Sequence, residues 1–175
     1  MRKIIIIFLI LTSSLLVVKS QINYDCDIFK ISIESLSKSF SHDTVIYILN
    51  HINKFNQKEL MSSISKDLKY FYNDSISMTT YKDIHASDDS IVNCEFNNAN
   101  VKLADRYPYE LFFNENYSGK IPTLIIFSNI LYFEKEYAYI RFFILLKNAG
   151  NITLWFILKK NDEDKWGVIK NGAYI

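Results

Sequence analysis

The last third of the chain is a series of apolar runs separated by short polar breaks. The runs cover residues 123–133, 137–147, 152–160 and 165–170. β-Branched and aromatic residues fill the runs, as strands favour, and Asn, Asp and Gly fill the breaks, as turns favour. No break is long enough for a helical crossover, so the pattern predicts four strands in antiparallel pairing.

The region before these strands carries helical spacing. Residues 25–40 fit either a helix or an alternating strand, and we favour the helix. Residues 43–55 predict a second helix. Six of its apolar side chains follow i, i+3, i+4, i+7 spacing: Val45, Ile46, Ile48, Leu49, Ile52 and Phe55. Asn56 and Glu59 are spaced as a capping box for a further short helix. The buried stripe predicted for that helix is Leu60, Met61 and Ile64.

The middle of the chain is less regular. Residues 68–72 predict a first strand, and residues 91–96 predict another with one apolar face, formed by Val92, Cys94 and Phe96. Residues 101–114 are mixed and interrupted by Pro108. The order predicts one α+β domain over residues 21–175, with N-terminal helices packed on one face of a mainly antiparallel sheet.

The face of that sheet opposite the helices is also apolar, so something must cover it. The break at 148–151 suits a two-residue turn, which would align Leu146 with Thr153. In that register both faces of the strands are apolar, whereas a sheet with one wet face alternates cleanly. We expect a homodimer in which another copy covers the outer face. The alternative is that residues 101–114 fold back over it.

The first twenty residues have the pattern of a secretory signal peptide. A basic start at residues 1–3 precedes an apolar run at 4–18, and Ser20 ends a segment suited to cleavage. That run is short for a membrane span of about twenty residues, so no stable membrane anchor is expected. We therefore predict a protein that is secreted or periplasmic after cleavage near Ser20.

The charge of the chain is close to neutral. Three of its 20 basic residues and none of its 19 acidic ones lie in the first twenty positions, so 17 basic residues remain against 19 acidic ones. Such a balance gives no electrostatic reason to bind nucleic acid, and no nucleic-acid partner is expected.

The two cysteines, Cys26 and Cys94, both lie beyond the predicted leader. In an exported chain a disulfide between them is a candidate, and a buried thiol at Cys94 is the alternative. A bond would close a loop of about 70 residues, worth on the order of 4 kcal/mol in the chain-entropy model.

Candidate chemistry is sparse, and no catalytic residue can be named. His85 lies among three carboxylates, and all four are candidates for a pocket rim: Asp83, His85, Asp88 and Asp89. A general base or metal site there is one reading, and a solvated polar loop is the favoured one. The chain has no His-x-x-x-His, Cys-x-x-Cys, Gly-x-Ser-x-Gly or phosphate-binding glycine loop. No metal or cofactor is therefore expected.

Two blocks of the chain follow the element order of a known superfamily. In residues 52–74 a helix, a break, a short helix and a strand are predicted around the pair Lys66-Asp67, and the chain ends in a hairpin with Trp166-Gly167-Val168-Ile169. Both blocks resemble the nuclear transport factor 2-like (SnoaL-like, cystatin-like) superfamily. The resemblance implies a cone of helices on a strongly curved sheet, with a pocket inside. It implies no single activity, because that superfamily mixes isomerases, cyclases, dehydratases and binding modules.

Three functions are compatible with these observations. The first is an exported, non-enzymatic domain that binds a small apolar ligand or a partner protein. The second is a cofactor-free isomerase or dehydratase with an acid–base pair of Tyr or Asp inside the cone. The third is an inhibitor of another protein. Polar side chains pointing inward would favour the enzyme, and a cavity lined by Phe, Ile and Leu would favour binding.

Overall fold

The computed structural model describes residues 25–41, 43–72, 78, 81–87, 92, 94–113, 119–147 and 150–174. Three helices and eight strands lie within these ranges, and the α+β class is as predicted. In chain order they are α1 (25–37), β1 (Thr44–Leu49), α2 (Gln57–Tyr72), β2 (His85–Ala86), β3 (Val101–Ala104), α3 (Tyr109–Phe113), β4 (Ile121–Phe127), β5 (Leu131–Phe133), β6 (Tyr137–Leu146), β7 (Gly150–Lys160) and β8 (Trp166–Tyr174). The predicted signal peptide lies outside the described residues. No helix in the described ranges has the length and apolar character needed to cross a membrane.

The eight strands form one open, mostly antiparallel sheet built around β6. β7 pairs with β6 along one side, while β4 and β5 share the other side, and all three pairings are antiparallel. β8 extends the sheet beyond β7. β1 and β3 extend it beyond β4 in parallel pairing, and β2 pairs with β5. The antiparallel order predicted for the C-terminal strands is confirmed.

The predicted strand 123–133 is divided into β4 and β5 by polar residues. Ser128 and Asn129 are buried there. The Ser128 backbone N–H donates to the Arg141 carbonyl at 2.9 Å, and the Ser128 Oγ accepts from the Arg141 N–H at 3.0 Å. The Asn129 side chain bonds both backbone groups of Phe55 at 2.9 Å. The break therefore fixes the segment that leads into α2.

The pairing of β6 with β7 differs from the predicted register. Leu146 pairs with Gly150 and Ile144 with Ile152, because Gly150 adopts a φ of +83° and begins β7 directly after the connection. The predicted partner of Leu146 was Thr153, three positions further on. An odd shift moves every side chain of one strand to the opposite face. Trp155 therefore shares a face with Tyr139, not with Ile144.

Each face of the sheet is covered within one chain, so the expectation that helices cover one face only is wrong. Residues of α1 pack in the core of one face, which includes Ile28, Phe29, Ile46, Phe127, Ile140, Phe142 and Phe156. Residues of α2 pack in the core of the other, which includes Leu60, Ile64, Leu68, Tyr139, Trp155 and Ile157. Tyr107 lines a cavity of about 220 Å³ with Leu124 and Ile126 at the far end of the α2-covered face. The homodimer stays a prediction, and α2 covers much of the face that motivated it, although Ile126, Phe143 and Leu145 are only partly buried at its far end.

One segment predicted as a helix forms a strand, and one segment predicted as a strand is helical. Residues 44–49 of the predicted helix 43–55 form β1, whose side chains are buried on both faces between β3 and β4. A strand buried on both faces has a continuous apolar run that periodicity cannot separate from a helix. Residues 68–72 form the last turns of α2 and not a strand, because the buried stripe Leu60, Ile64 and Leu68 continues at helical spacing.

Of the remaining predictions for the N-terminal half, two are confirmed and one is wrong. The helix favoured for residues 25–40 is confirmed by α1. The capping box is confirmed too: the Glu59 N–H donates to Asn56 Oδ1 at 2.9 Å, and the Asn56 N–H donates to Glu59 Oε2 at 2.8 Å. The strand predicted at 91–96 is not formed in the residues described there, although Val92 and Cys94 are buried.

Candidate functional site

The predicted pocket-rim residues do not form a cluster in the described part of the chain. His85 lies exposed on β2, with its ring stacked on Tyr132 at 5.2 Å, and Asp83 is an exposed partner of Lys135 at 4.0 Å. Asp88 and Asp89 lie outside the described residues. Among the residues that are described, no group of three or more His, Cys, Asp or Glu side chains is placed to hold a metal ion.

The two cysteines form a disulfide that ties α1 to the segment before β3. Cys26 and Cys94 are bonded, with their Cα atoms 5.5 Å apart and a sequence separation of 68. The bond closes a long loop of the chain that includes β1 and α2. It fastens α1 over the face of the sheet that this helix covers.

Helix α2 carries a buried carboxylate, and two tyrosines donate hydrogen bonds to it. Asp67 is 2% exposed. The Tyr139 hydroxyl, on β6, donates to Asp67 Oδ2 at 2.5 Å, and the Tyr174 hydroxyl, on β8, donates to Oδ1 at 2.7 Å. We call Asp67, Tyr139 and Tyr174 the tyrosine–carboxylate cluster. Beside it, Arg141 donates to the Ser63 hydroxyl at 3.2 Å.

The electrostatics of this cluster keep both phenols protonated. Burial raises the pKa of Tyr139, and the adjacent Asp67 charge and hydrogen bond raise it further. Burial, together with the hydrogen bond to Asp67, raises the pKa of Tyr174 to about 12. Each carboxylate oxygen therefore already holds one phenol donor. The cluster anchors α2 to two strands, and the burial of Asp67 keeps its carboxylate away from solvent.

An apolar pocket lies beside the cluster, under the same helix. Its volume is about 150 Å³, and we call it the α2 pocket; its lining residues are Ile64, Leu68, Met78, Tyr81, Phe133, Tyr137, Ile157, Ile169 and Lys170. The cluster adjoins it because Tyr139 pairs with Ile157 across β6 and β7. Aromatic rings form one wall, where Phe133 stacks on Tyr137 at 5.2 Å and meets Tyr81 edge-on at 5.1 Å.

A β-bulge shapes the mouth of the α2 pocket. Ile157 pairs with Lys170 and the next residue of β7 pairs with Val168, so Ile169 is the extra residue on β8. A bulge places two successive side chains opposite one residue and redirects them. Ile169 and Lys170 consequently both border the pocket, although neighbours on a regular strand point to opposite faces.

Neither the pocket nor the cluster was predicted from the sequence as a site. In the sequence, Asp67 stands out only as half of the polar pair Lys66-Asp67. Read as one helix, residues 57–72 place Asp67 on the same side as Leu60, Ile64 and Leu68, and a carboxylate on an apolar stripe is the signal that was available. The pocket has no such signal, because its lining joins residues from five separate segments.

No family model, curated protein or solved structure matches this chain. The resemblance to the nuclear transport factor 2-like superfamily therefore stays a prediction.

Proposed function

We propose that this protein binds a small apolar ligand in the α2 pocket. The observation that carries the proposal is the floor of that pocket, which is made of apolar side chains that are at most 4% exposed: Ile64, Leu68, Met78, Phe133 and Ile157. A pocket of about 150 Å³ is large enough for a benzene-sized group. Binding outside the cytoplasm is part of the same proposal and rests on the leader pattern of residues 1–20.

The mouth of the pocket sets the polar end of the ligand. Two tyrosines, Tyr81 and Tyr137, and the Lys170 side chain border it. Lys170 brings a positive charge to the border of the pocket, and its ammonium lies 4.9 Å from the centre of the neighbouring Tyr72 ring. A ring or short alkyl chain with one carboxylate fits this arrangement, with its apolar part on the floor and its charge at the mouth.

The expected affinity is modest. Small ligands gain about −0.3 to −1.5 kcal/mol per non-hydrogen atom, and a ten-atom aromatic carboxylate at the lower end of that range binds at about −3 to −5 kcal/mol. Such a free energy corresponds to a dissociation constant in roughly the millimolar range. Fluorine NMR detects binding of this strength.

The experiment is a titration of the purified protein with 4-fluorobenzoate and, separately, with neutral fluorobenzene. We expect saturable shifts with both probes. Lys170→Gln should weaken the binding of 4-fluorobenzoate and leave the binding of fluorobenzene unchanged. Ile169→Trp should block both probes at the mouth, and Leu103→Trp is its matched control, because both side chains are about half exposed on strands and Leu103 is far from the lining. Shifts that do not saturate, or equal loss in the two Trp variants, would reject the pocket.

A second candidate is the cofactor-free enzyme, and one observation favours it. Asp67 and Tyr139 are side chains of the type used for acid–base chemistry, and they adjoin the apolar pocket. Binding ranks first because both oxygens of Asp67 already hold phenol donors. Chemical change of a bound ligand that is lost in Asp67→Asn, with binding retained, would reverse that order.

A further inference from the structure

A second concavity lies at the opposite end of the sheet, between β3 and the segment that follows it. This open groove has a volume of about 770 Å³, and we call it the β3 groove; it is lined by Tyr47 and residues 102–111. It shares no lining residue with the α2 pocket. The order of residues explains its shape, because the chain leaves β3 at Ala104, turns, and returns along the groove as α3.

Aromatic rings form one side of the β3 groove. Tyr109 is 65% exposed, and its ring centre lies 4.3 Å from that of Tyr107. Tyr109 also stacks, at a longer distance, on Phe113, whose ring centre lies 6.1 Å away. The rings support one another, so the exposed ring of Tyr109 is held in place and offers a flat apolar surface beside the groove.

Charged side chains of both signs complete the lining. Lys102 and Arg106 supply donors, and Asp105 and Glu110 supply acceptors. Asp105 is oriented by the Asn50 amide, which donates to its Oδ1 at 2.8 Å. Within the part of the chain that the structure describes, no ion pair joins these four residues to one another. Their formal charges cancel, so the groove does not select an anion or a cation.

We infer that the β3 groove binds a neutral saccharide. A pyranose ring has one face of C–H groups, which packs on an aromatic ring, and a rim of hydroxyls, each of which both donates and accepts. The exposed Tyr109 ring matches the first requirement, and the mixture of cationic donors and carboxylate acceptors along the groove matches the second. An open groove also admits a chain of linked sugars and not a single ring alone.

The test is affinity electrophoresis of the purified protein in native gels that contain one soluble polymer each. The panel is an α-glucan, a β-glucan, a mannan and glycol chitin as neutral polymers, with heparin as the anionic one. At least one neutral polymer should retard the protein, and 0.5 M NaCl should leave the retardation unchanged because no net charge is neutralised. Retardation by heparin alone, or by no polymer of the panel, would overturn the inference.

Variants place the binding in the groove. Tyr109→Ala removes the stacking ring and should weaken binding about three- to tenfold. Tyr70→Ala is the matched control, because Tyr70 is 74% exposed on α2 and outside the groove lining. Glu110→Gln should also weaken binding, and Ile169→Trp should not, which separates this site from the α2 pocket. Equal losses in Tyr109→Ala and Tyr70→Ala would contradict the assignment.

Discussion

The contact between Gly172 and Trp155 offers a sharp test of how α2's face of the sheet is packed. A Cβ atom on Gly172 would lie 2.7 Å from both Cζ2 and Nε1 of Trp155 and 2.8 Å from its Cε2. The indole cannot move away, since Trp155 is 0% exposed and packs against Phe71 and Tyr72 at ring distances of 5.6 and 6.1 Å. Overpacking of this kind costs about 1–3 kcal/mol, and we expect Gly172→Ala to destabilise the protein by that amount.

Gly167 provides the matched control on the same strand. No heavy atom lies within 4 Å of a Cβ built there, and neither glycine has a positive φ. Alanine lowers the backbone entropy of the unfolded chain, so Gly167→Ala should be neutral or stabilising by up to about 1 kcal/mol. The same substitution should therefore have opposite effects at two positions five residues apart.

Urea unfolding followed by circular dichroism measures both changes. The slope should be the same in all variants, so that a shifted midpoint reports stability alone. A third pair of proteins isolates the contact: in a Trp155→Phe background, Gly172→Ala should cost about 1 kcal/mol less than in the native background, because the indole atoms nearest the new methyl are gone. Equal midpoints for Gly172→Ala and Gly167→Ala, or an undiminished cost beside Phe, would refute the packing argument.

Two further predictions concern the bonds that fasten the helices. Denatured, unreduced protein should take up no maleimide, and reduction should free two thiols at Cys26 and Cys94 and cost on the order of 4 kcal/mol; two reactive thiols before reduction would contradict the bond. Stability should also fall as pH rises from about 10 to 12, because Tyr139 and Tyr174 have raised pKa values and lose protons more readily when unfolded. Tyr139→Phe should flatten that fall, and an unchanged pH profile would refute its cause.

The C-terminal strands could be predicted because their local and tertiary signals agree. Each run of β-branched and aromatic residues ends at a polar turn, and the strands pair with their neighbours in sequence. β1 could not be predicted in the same way. Its side chains Val45, Ile46 and Ile48 are all buried, so the period of two that identifies a strand is lost. Parallel partners far away in sequence decide its conformation.

At the end of α2 the error is the reverse, because a helical segment is predicted as a strand. The run at residues 70–72 is aromatic and favours a strand on propensity, but burial of Asp67 and Leu68 on the helix stripe outweighs it. The residues that Asp67 bonds lie 72 and 107 positions away, at Tyr139 and Tyr174. No local pattern encodes partners at such distances. The site therefore became visible only once the β6–β7 register and the length of α2 were known.

The proposed ligand site depends on the tyrosine–carboxylate cluster for the position of α2. Ile64 and Leu68 of α2 form part of the pocket floor, and Asp67, between them, anchors the helix to β6 and β8. The pocket floor is complete only when α2 is packed on the sheet. A ligand that binds there therefore favours the packed position of the helix. At a hundred times its dissociation constant, such a ligand would stabilise the folded protein by about 2.7 kcal/mol. The buried carboxylate is then explained as a support for the pocket, because apolar contacts alone set no fixed orientation for the helix that roofs it.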